Sequence, residues 1–83
     1  MEKMKYVLMM TEDGTRDGNG IATMDVYCDA YPRVGDTVMV QKRGVGCLGK
    51  ITEISHLIDD EEQDTVYAIC KFTGSKRIKK EKL

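Results

Sequence analysis

Apolar and polar residues alternate one for one in the second quarter of the chain, and this alternation constrains the fold more than any other feature. Its apolar members are Ala22, Met24, Val26 and Cys28. A period of two puts successive side chains on opposite faces of a strand, one buried and one exposed. The same period returns over residues 66–72, and no stretch has the three-and-four spacing of an amphipathic helix. The sequence therefore predicts an all-β protein.

Turn-forming residues divide the chain into short strands. The Asp-Gly pairs at 13–14 and 17–18 and the segment 31–36, which holds the proline, favour the backbone angles of tight turns. Ile51 and Ile54 are three residues apart, which breaks the alternation and predicts a bulge in the fourth strand. The predicted strands cover residues 5–10, 22–28, 37–41, 50–57 and 66–72.

The chain has 83 residues, which is room for one small domain. Five short strands with frequent turns are typical of a small barrel. We predict a single five-stranded SH3-like β-barrel over residues 1–75, followed by a basic, flexible C-terminal tail at 76–83. A domain of this size buries only about 60% of its unfolded surface, which leaves little chain for a catalytic cleft. The predicted core consists of Met24, Val26, Cys28, Val38, Val40, Ile51, Val66, Ala68, Cys70 and Phe72.

The net charge of -1 conceals two segments of opposite sign. Residues 76–83 carry a net charge of +4, so the rest of the chain carries -5. Five acidic residues stand together at 59–64, where no apolar side chain is available for burial, and this segment is predicted to be a solvated loop. The charge layout is therefore an acidic body with a basic tail.

The residues that usually carry catalysis or bind metals are few and far apart. His56 is the only histidine in the chain. Cys28, Cys47 and Cys70 are about 20 residues apart, whereas zinc ligands usually come in pairs separated by two to four residues. We predict no catalytic residues, no metal and no cofactor, and hence a protein that is not an enzyme. The odd cysteine count and the lack of a long apolar run or a signal-peptide pattern predict a cytoplasmic protein outside the membrane.

Two other motifs are incomplete. The loop that begins at Asp13 has oxygen-bearing side chains at alternate positions, as a calcium loop does, but Met24 stands where that loop needs glutamate. Glycines at 44, 46 and 49 have the spacing of a dinucleotide-binding fingerprint, but the residues that follow are predicted to form a strand and not a helix. Neither motif therefore predicts a ligand.

Exposed aromatic and basic residues remain as candidates for a binding site. Tyr27 and Tyr67 fall on the polar phase of their strands, where their rings can stack on nucleic-acid bases. Basic side chains beside the glycine-rich segment and in the tail can neutralise phosphates. We predict a single-stranded nucleic acid as the partner, bound by Tyr27, Lys42, Arg43, Lys50, Tyr67, Lys76, Arg77, Lys79 and Lys80.

A series of short motifs begins in the second predicted strand. It reads Met24-Asp25-Val26-Tyr27-Cys28-Asp29, then Val34-Gly35-Asp36-Thr37-Val38-Met39-Val40, then Gly49-Lys50-Ile51-Thr52-Glu53-Ile54. This series resembles the N-terminal domain of the primosomal replication-restart helicase, and short uncharacterised bacterial and phage proteins. The resemblance implies a domain that binds the 3′ end of a DNA strand, with Asp25 accepting a hydrogen bond from the terminal hydroxyl. Met24 and Val26 stand where that family has aromatic residues, and the helicase body has no counterpart here.

The acidic segment at 59–64 supports an alternative function. The protein would then be an interaction adaptor, encoded by a phage or mobile element, whose acidic loop meets a basic surface on a partner protein. The net charge of the body favours the adaptor, and that of the tail favours nucleic acid. The sequence therefore supports both hypotheses and does not decide between them.

Overall fold

The computed structural model of the chain describes residues 3–77. Its strands are β1 (Met4–Thr11), β2 (Gly20–Cys28), β3 (Thr37–Lys42), β4 (Val45–Ile58) and β5 (Asp64–Arg77). They form one strongly curled sheet, a half-barrel, in the order β2-β1-β5-β4-β3. The predictions of an all-β protein and of five strands are confirmed. Over these residues there is no helix with the length and apolar character needed to span a membrane.

The first and last strands meet at the centre of the sheet. β1 pairs with β5 in parallel, with Leu8 opposite Ala68 and Met10 opposite Cys70. The other neighbouring strands are antiparallel. The β1–β2 hairpin and the β3–β4–β5 meander are therefore joined through one parallel ladder.

The hydrophobic core lies on the concave face of this sheet. Its buried members are Tyr6, Leu8, Met10, Val40, Ile51, Val66, Ala68 and Cys70. Five of the ten predicted core residues belong to this set, and the other five pack against it while partly exposed: Met24, Val26, Cys28, Val38 and Phe72. The core residues of β1 were not predicted because the apolar run of that strand shows no alternation.

Two irregularities in the β4–β5 ladder bend the sheet. One lies between Leu48 and Gly49, and the other lies between Ile51 and Glu53, which confirms the predicted bulge. Each irregularity increases the local twist of the strands and favours curling. Most of the glycine-rich segment belongs to β4, which begins at Val45 and not near residue 50.

The domain boundary predicted after residue 75 falls inside β5. That strand continues through Lys76 to Arg77, so the basic segment begins as paired backbone. Residues 78–83, which include Lys79 and Lys80, lie outside the described residues.

The connection from β2 to β3 passes across the concave side, because these strands lie at opposite edges of the sheet. In this connection, Tyr31 packs edge-on against Tyr6 with 6.4 Å between the ring centroids. Near its end, the Gly35 amide donates a 2.9 Å hydrogen bond to the Ile51 carbonyl. Within residues 3–77, no ladder joins β2 to β3. The connection therefore covers part of the core between the two edges.

The three cysteines should differ in reactivity toward a thiol reagent. Burial raises the pKa of the Cys70 thiol to about 11, so about one molecule in a thousand carries the reactive thiolate at pH 8. Cys28 and Cys47 are partly exposed. We expect rapid labelling of these two under native conditions and labelling of Cys70 only on unfolding, as mapped by mass spectrometry. Equal rates at all three sites would contradict the buried position of Cys70.

Candidate functional site

The convex face of the sheet carries three of the predicted binding residues in neighbouring rows. Asp25 lies opposite Val7 on β1, and Val7 lies opposite Tyr67 on β5. With adjacent strands about 4.8 Å apart, Asp25 and Tyr67 are about 10 Å from each other across the sheet. Tyr27 follows in the next row, opposite Lys5, with 66% of its surface exposed. The register thus brings Asp25, Tyr27 and Tyr67 to one surface.

A pocket of about 270 Å³ opens beside Tyr67. Its lining consists of Met9, Arg16, His56, Leu57 and Tyr67. The Arg16 guanidinium lies 3.9 Å from a Glu53 carboxylate oxygen, and the His56 Nδ1 atom lies 2.9 Å from Asp64 Oδ2. Carboxylates therefore accompany both basic side chains of the pocket, and its apolar surface comes from Met9, Leu57 and the tyrosine ring.

Arg16 reaches this pocket because the β1–β2 loop folds back over the convex face. Thr11 is buried, and its hydroxyl donates a 2.9 Å hydrogen bond to the Thr15 carbonyl. The Asp13 carboxylate accepts hydrogen bonds from the amide and hydroxyl of Thr15, which lowers the pKa of Asp13. The loop is thus held in a compact shape by its own threonine and aspartate side chains.

One side chain of β4 fixes the loop to the sheet. Thr52 is the extra residue of the bulge, and its hydroxyl lies 2.7 Å from the Gly14 carbonyl and 3.2 Å from the Ile69 carbonyl. Gly14 has a φ of 78°, and a Cβ atom there would stand 2.8 Å from the Cβ of Lys71. Ile69, although on the convex phase of β5, is completely buried. We attribute the burial of Ile69 to this loop.

The acidic segment forms one end of the β4–β5 hairpin, next to the pocket. We call residues 57–64 the acidic end. Its turn is held by the Asp59 carboxylate, which accepts hydrogen bonds from the amides of Glu61 and Gln63. Just before the turn, Leu57 and Ile58 are 58% and 64% exposed. Leu57 is on the convex phase with Tyr67, and Ile58, opposite Asp64, is on the other phase. Each adjoins exposed carboxylates of the turn.

The predicted basic residues lie toward the opposite end of the hairpin. Lys50 lies directly opposite Lys71, and Lys76 lies opposite Gly46, all on the convex phase. The exposed Met39 and its cross-strand partner Leu48 share this side. We call the set Met39, Leu48, Lys50, Lys71 and Lys76 the lysine face. From Tyr67 to Lys76 the strand runs for about 30 Å.

The predicted nucleic-acid site is therefore divided in the structure. Lys50 and Lys76 belong to the lysine face, and Arg43 lies in the nearby β3–β4 turn, far along the sheet from Tyr67. Lys42 and Arg77 end β3 and β5, but their side chains are outside what the structure describes, as are Lys79 and Lys80 altogether.

Four pocket residues were not predicted as a site: Met9, Arg16, His56 and Leu57. His56 and Leu57 precede the acidic segment in sequence, which is a usable signal for them. Arg16 has no such signal, because it reaches the pocket through a loop whose packing the sequence does not show.

The described residues do not group three or more histidine, cysteine, aspartate or glutamate side chains in a way that could hold a metal ion. The Asp13 carboxylate is hydrogen-bonded to Thr15 within its own loop. The candidate chemistry of this molecule is therefore binding by the Tyr67 pocket, the acidic end and the lysine face.

Replacing Gly14 by alanine should loosen the loop that carries Arg16. A side chain at this positive φ, against Lys71, should cost about 1–3 kcal/mol of unfolding free energy. Gly20→Ala is the matched control, because the space around Gly20 is open, and it should not destabilise the protein. Urea unfolding measures both variants. Equal stability of the two would show that the loop does not pack against the sheet as described.

Comparisons with protein families, curated proteins and solved structures found no match for this chain. The resemblance of residues 22–55 to the helicase domain therefore stays a prediction. Function has to be argued from the surfaces described above.

Proposed function

We propose that the protein is a non-catalytic interaction module that binds a basic segment of a partner protein at the Tyr67 pocket and the acidic end. In this complex an apolar side chain of the partner enters the pocket. Lysine or arginine residues on either side of it face the carboxylates of the turn. This is the adaptor function predicted from the sequence, and the proposal assigns it to one surface.

One observation carries this proposal: the pocket adjoins exposed apolar surface and exposed carboxylates. Leu57 lines the pocket and is 58% exposed. Apolar surface rimmed by charged groups is typical of protein-binding sites. Burying one aliphatic or aromatic side chain contributes about 1.5–3 kcal/mol, which suits a weak, reversible complex.

Charge determines the kind of partner. Residues 59–64 carry five acidic side chains, and Leu57 in the pocket wall precedes this segment by two residues, about 7 Å along the strand. This distance is within the Debye length of about 8 Å at physiological salt, so the carboxylates act on a ligand in the pocket. They attract a basic peptide and repel a phosphate backbone.

We also infer that the half-barrel belongs to the SH3-like class, in a cytoplasmic protein of phage or mobile-element origin. The five strands and the Val34-Gly35-Asp36 turn before β3 support this assignment. An experimental structure in which β2 and β3 close the barrel would support the class, and a flat, open sheet would contradict it.

Binding can be tested with a fluorescein-labelled peptide in which one leucine stands between pairs of lysines. We expect saturable binding by fluorescence polarisation. Leu57→Ser should weaken it at least tenfold, because it removes apolar surface from the pocket wall; a tenfold loss corresponds to about 1.4 kcal/mol. D60K/E61K should abolish it, since these residues supply charge while Asp59 holds the turn.

Two controls separate this site from general stickiness. Met39→Ser removes an exposed apolar side chain of β3, far from the pocket, and should not weaken binding of the peptide. A peptide with glutamates in place of lysines should not bind. Absence of binding by the lysine peptide, or equal losses from Leu57→Ser and Met39→Ser, would refute the proposal.

A second candidate function is nucleic-acid binding at the lysine face. The observation in its favour is the placement of Lys50, Lys71 and Lys76 on one side of the β4–β5 ladder. Three lysines can neutralise phosphates without reading sequence. In the form implied by the helicase resemblance, Asp25 would accept the terminal hydroxyl and Tyr27 or Tyr67 would stack on bases. The loop over Ile69 stands between these residues and the lysines.

A labelled oligothymidine tests this second function. Binding through three lysines should give a log–log salt slope of about -2, since single strands give about -0.7 for each phosphate neutralised. K50E/K76E should abolish binding, and D60K/E61K should preserve it. Binding that is lost in D60K/E61K, or no binding at low salt, would exclude the lysine face as a nucleic-acid site.

A further inference from the structure

The lysine face is an unpartnered part of the convex sheet surface, with apolar residues between charges of one sign. Met39 is 52% exposed, and its cross-strand partner Leu48 is partly exposed. Lys50 and Lys76 flank this pair along the ladder. A matching surface has the same apolar character and the opposite charge.

The charges of this face are poorly compensated within the described part of the chain. Lys50 and Lys71 stand directly opposite each other, and like charges in this arrangement destabilise a sheet. Hydrogen bonds from Thr15 and, to a smaller extent, the charge of Lys71 lower the pKa of the Asp13 carboxyl. Among the described side chains, neither Lys50 nor Lys76 has a carboxylate within 4.0 Å. A partner that brings carboxylates here would relieve the repulsion between the lysines.

The same chain carries a surface with the complementary properties. The acidic end presents the exposed Leu57, on the convex phase of β4, beside the carboxylates of the turn. Apolar groups of two copies can thus meet at the centre of a contact while lysines face carboxylates around it. This is the arrangement of stable protein interfaces, with an apolar core and a polar rim.

The separation of the two surfaces suits a pair of copies. Lys50 and Leu57 are both on β4, seven residues or about 23 Å apart. When two copies lie antiparallel about a two-fold axis, each acidic end meets the lysine face of the other. Both contacts then form at once, and both surfaces of each chain are covered, as in an isologous dimer.

We propose that the partner bound by the acidic end is a second copy of this chain, seated on its lysine face. This inference rests on the proposed function, because it names the partner of the same site. The dimer is held by carboxylates of residues 60–62 against Lys50 and Lys76, with Leu57 packed near Met39 and Leu48.

Charge reversal with complementation tests the dimer by sedimentation velocity on full-length, nuclease-treated protein. The wild-type chain should dimerise at ~0.01 M salt and dissociate at ~1 M, where the Debye length falls from about 30 Å to about 3 Å. K50E/K76E alone and D60K/E61K alone should both be monomers. An equimolar mixture of the two variants should form a one-to-one dimer, because both contacts are again between opposite charges.

The control is K5E/R33E, which changes the net charge as K50E/K76E does, but away from the lysine face. It should remain a dimer. A monomeric wild type at low salt, or a mixture that does not associate, would overturn the proposal. If such a protein still binds the lysine peptide, the proposed function stands with a different partner. If it does not bind the peptide either, both fail.

Discussion

The parallel ladder between β1 and β5 is the interaction on which the rest of the structure depends. A two-stranded hairpin alone is marginally stable in water, and the β1–β2 unit is such a hairpin. Pairing with β5 places Leu8 and Met10 beside Ala68 and Cys70 and makes one continuous core. The paired strands are far apart in sequence, so loop closure must precede the gain from burial.

Because the core occupies the concave face, the convex face and the ends of the β4–β5 hairpin are available for binding. The convex face is not uniform, because the Thr52 hydroxyl fixes the β1–β2 loop to its middle through the Gly14 carbonyl. On one side of this loop lie the Tyr67 pocket and the acidic end, and on the other lies the lysine face. The fold therefore converts charge segments that are separate in sequence into two surfaces far apart along β4 and β5.

The strands with alternating residues and the position of one bulge could be predicted from the sequence. The alternation at 22–28 and 66–72 predicts strands, and the Ile51–Ile54 spacing predicts the bulge, since both depend on local geometry. The burial of Ile69 could not be predicted, because its alternation phase is exposed and we attribute its burial to a loop distant in sequence. Whether Tyr67 lies near the predicted basic residues depends on the position of each along its strand. The composition of the chain does not contain that information.

The bulge at Thr52 links the fold to the candidate site. A bulge changes the direction in which a side chain points as well as bending the strand. Here the extra residue carries the hydroxyl that contacts the carbonyls of Gly14 and Ile69. The loop held in this way positions Arg16 at the Tyr67 pocket. There Arg16 lies beside Glu53, which is on the same strand as Thr52. The irregularity that helps to curl the sheet thus also fixes one wall of the pocket, so the shape of the binding surface is coupled to the curvature of the core.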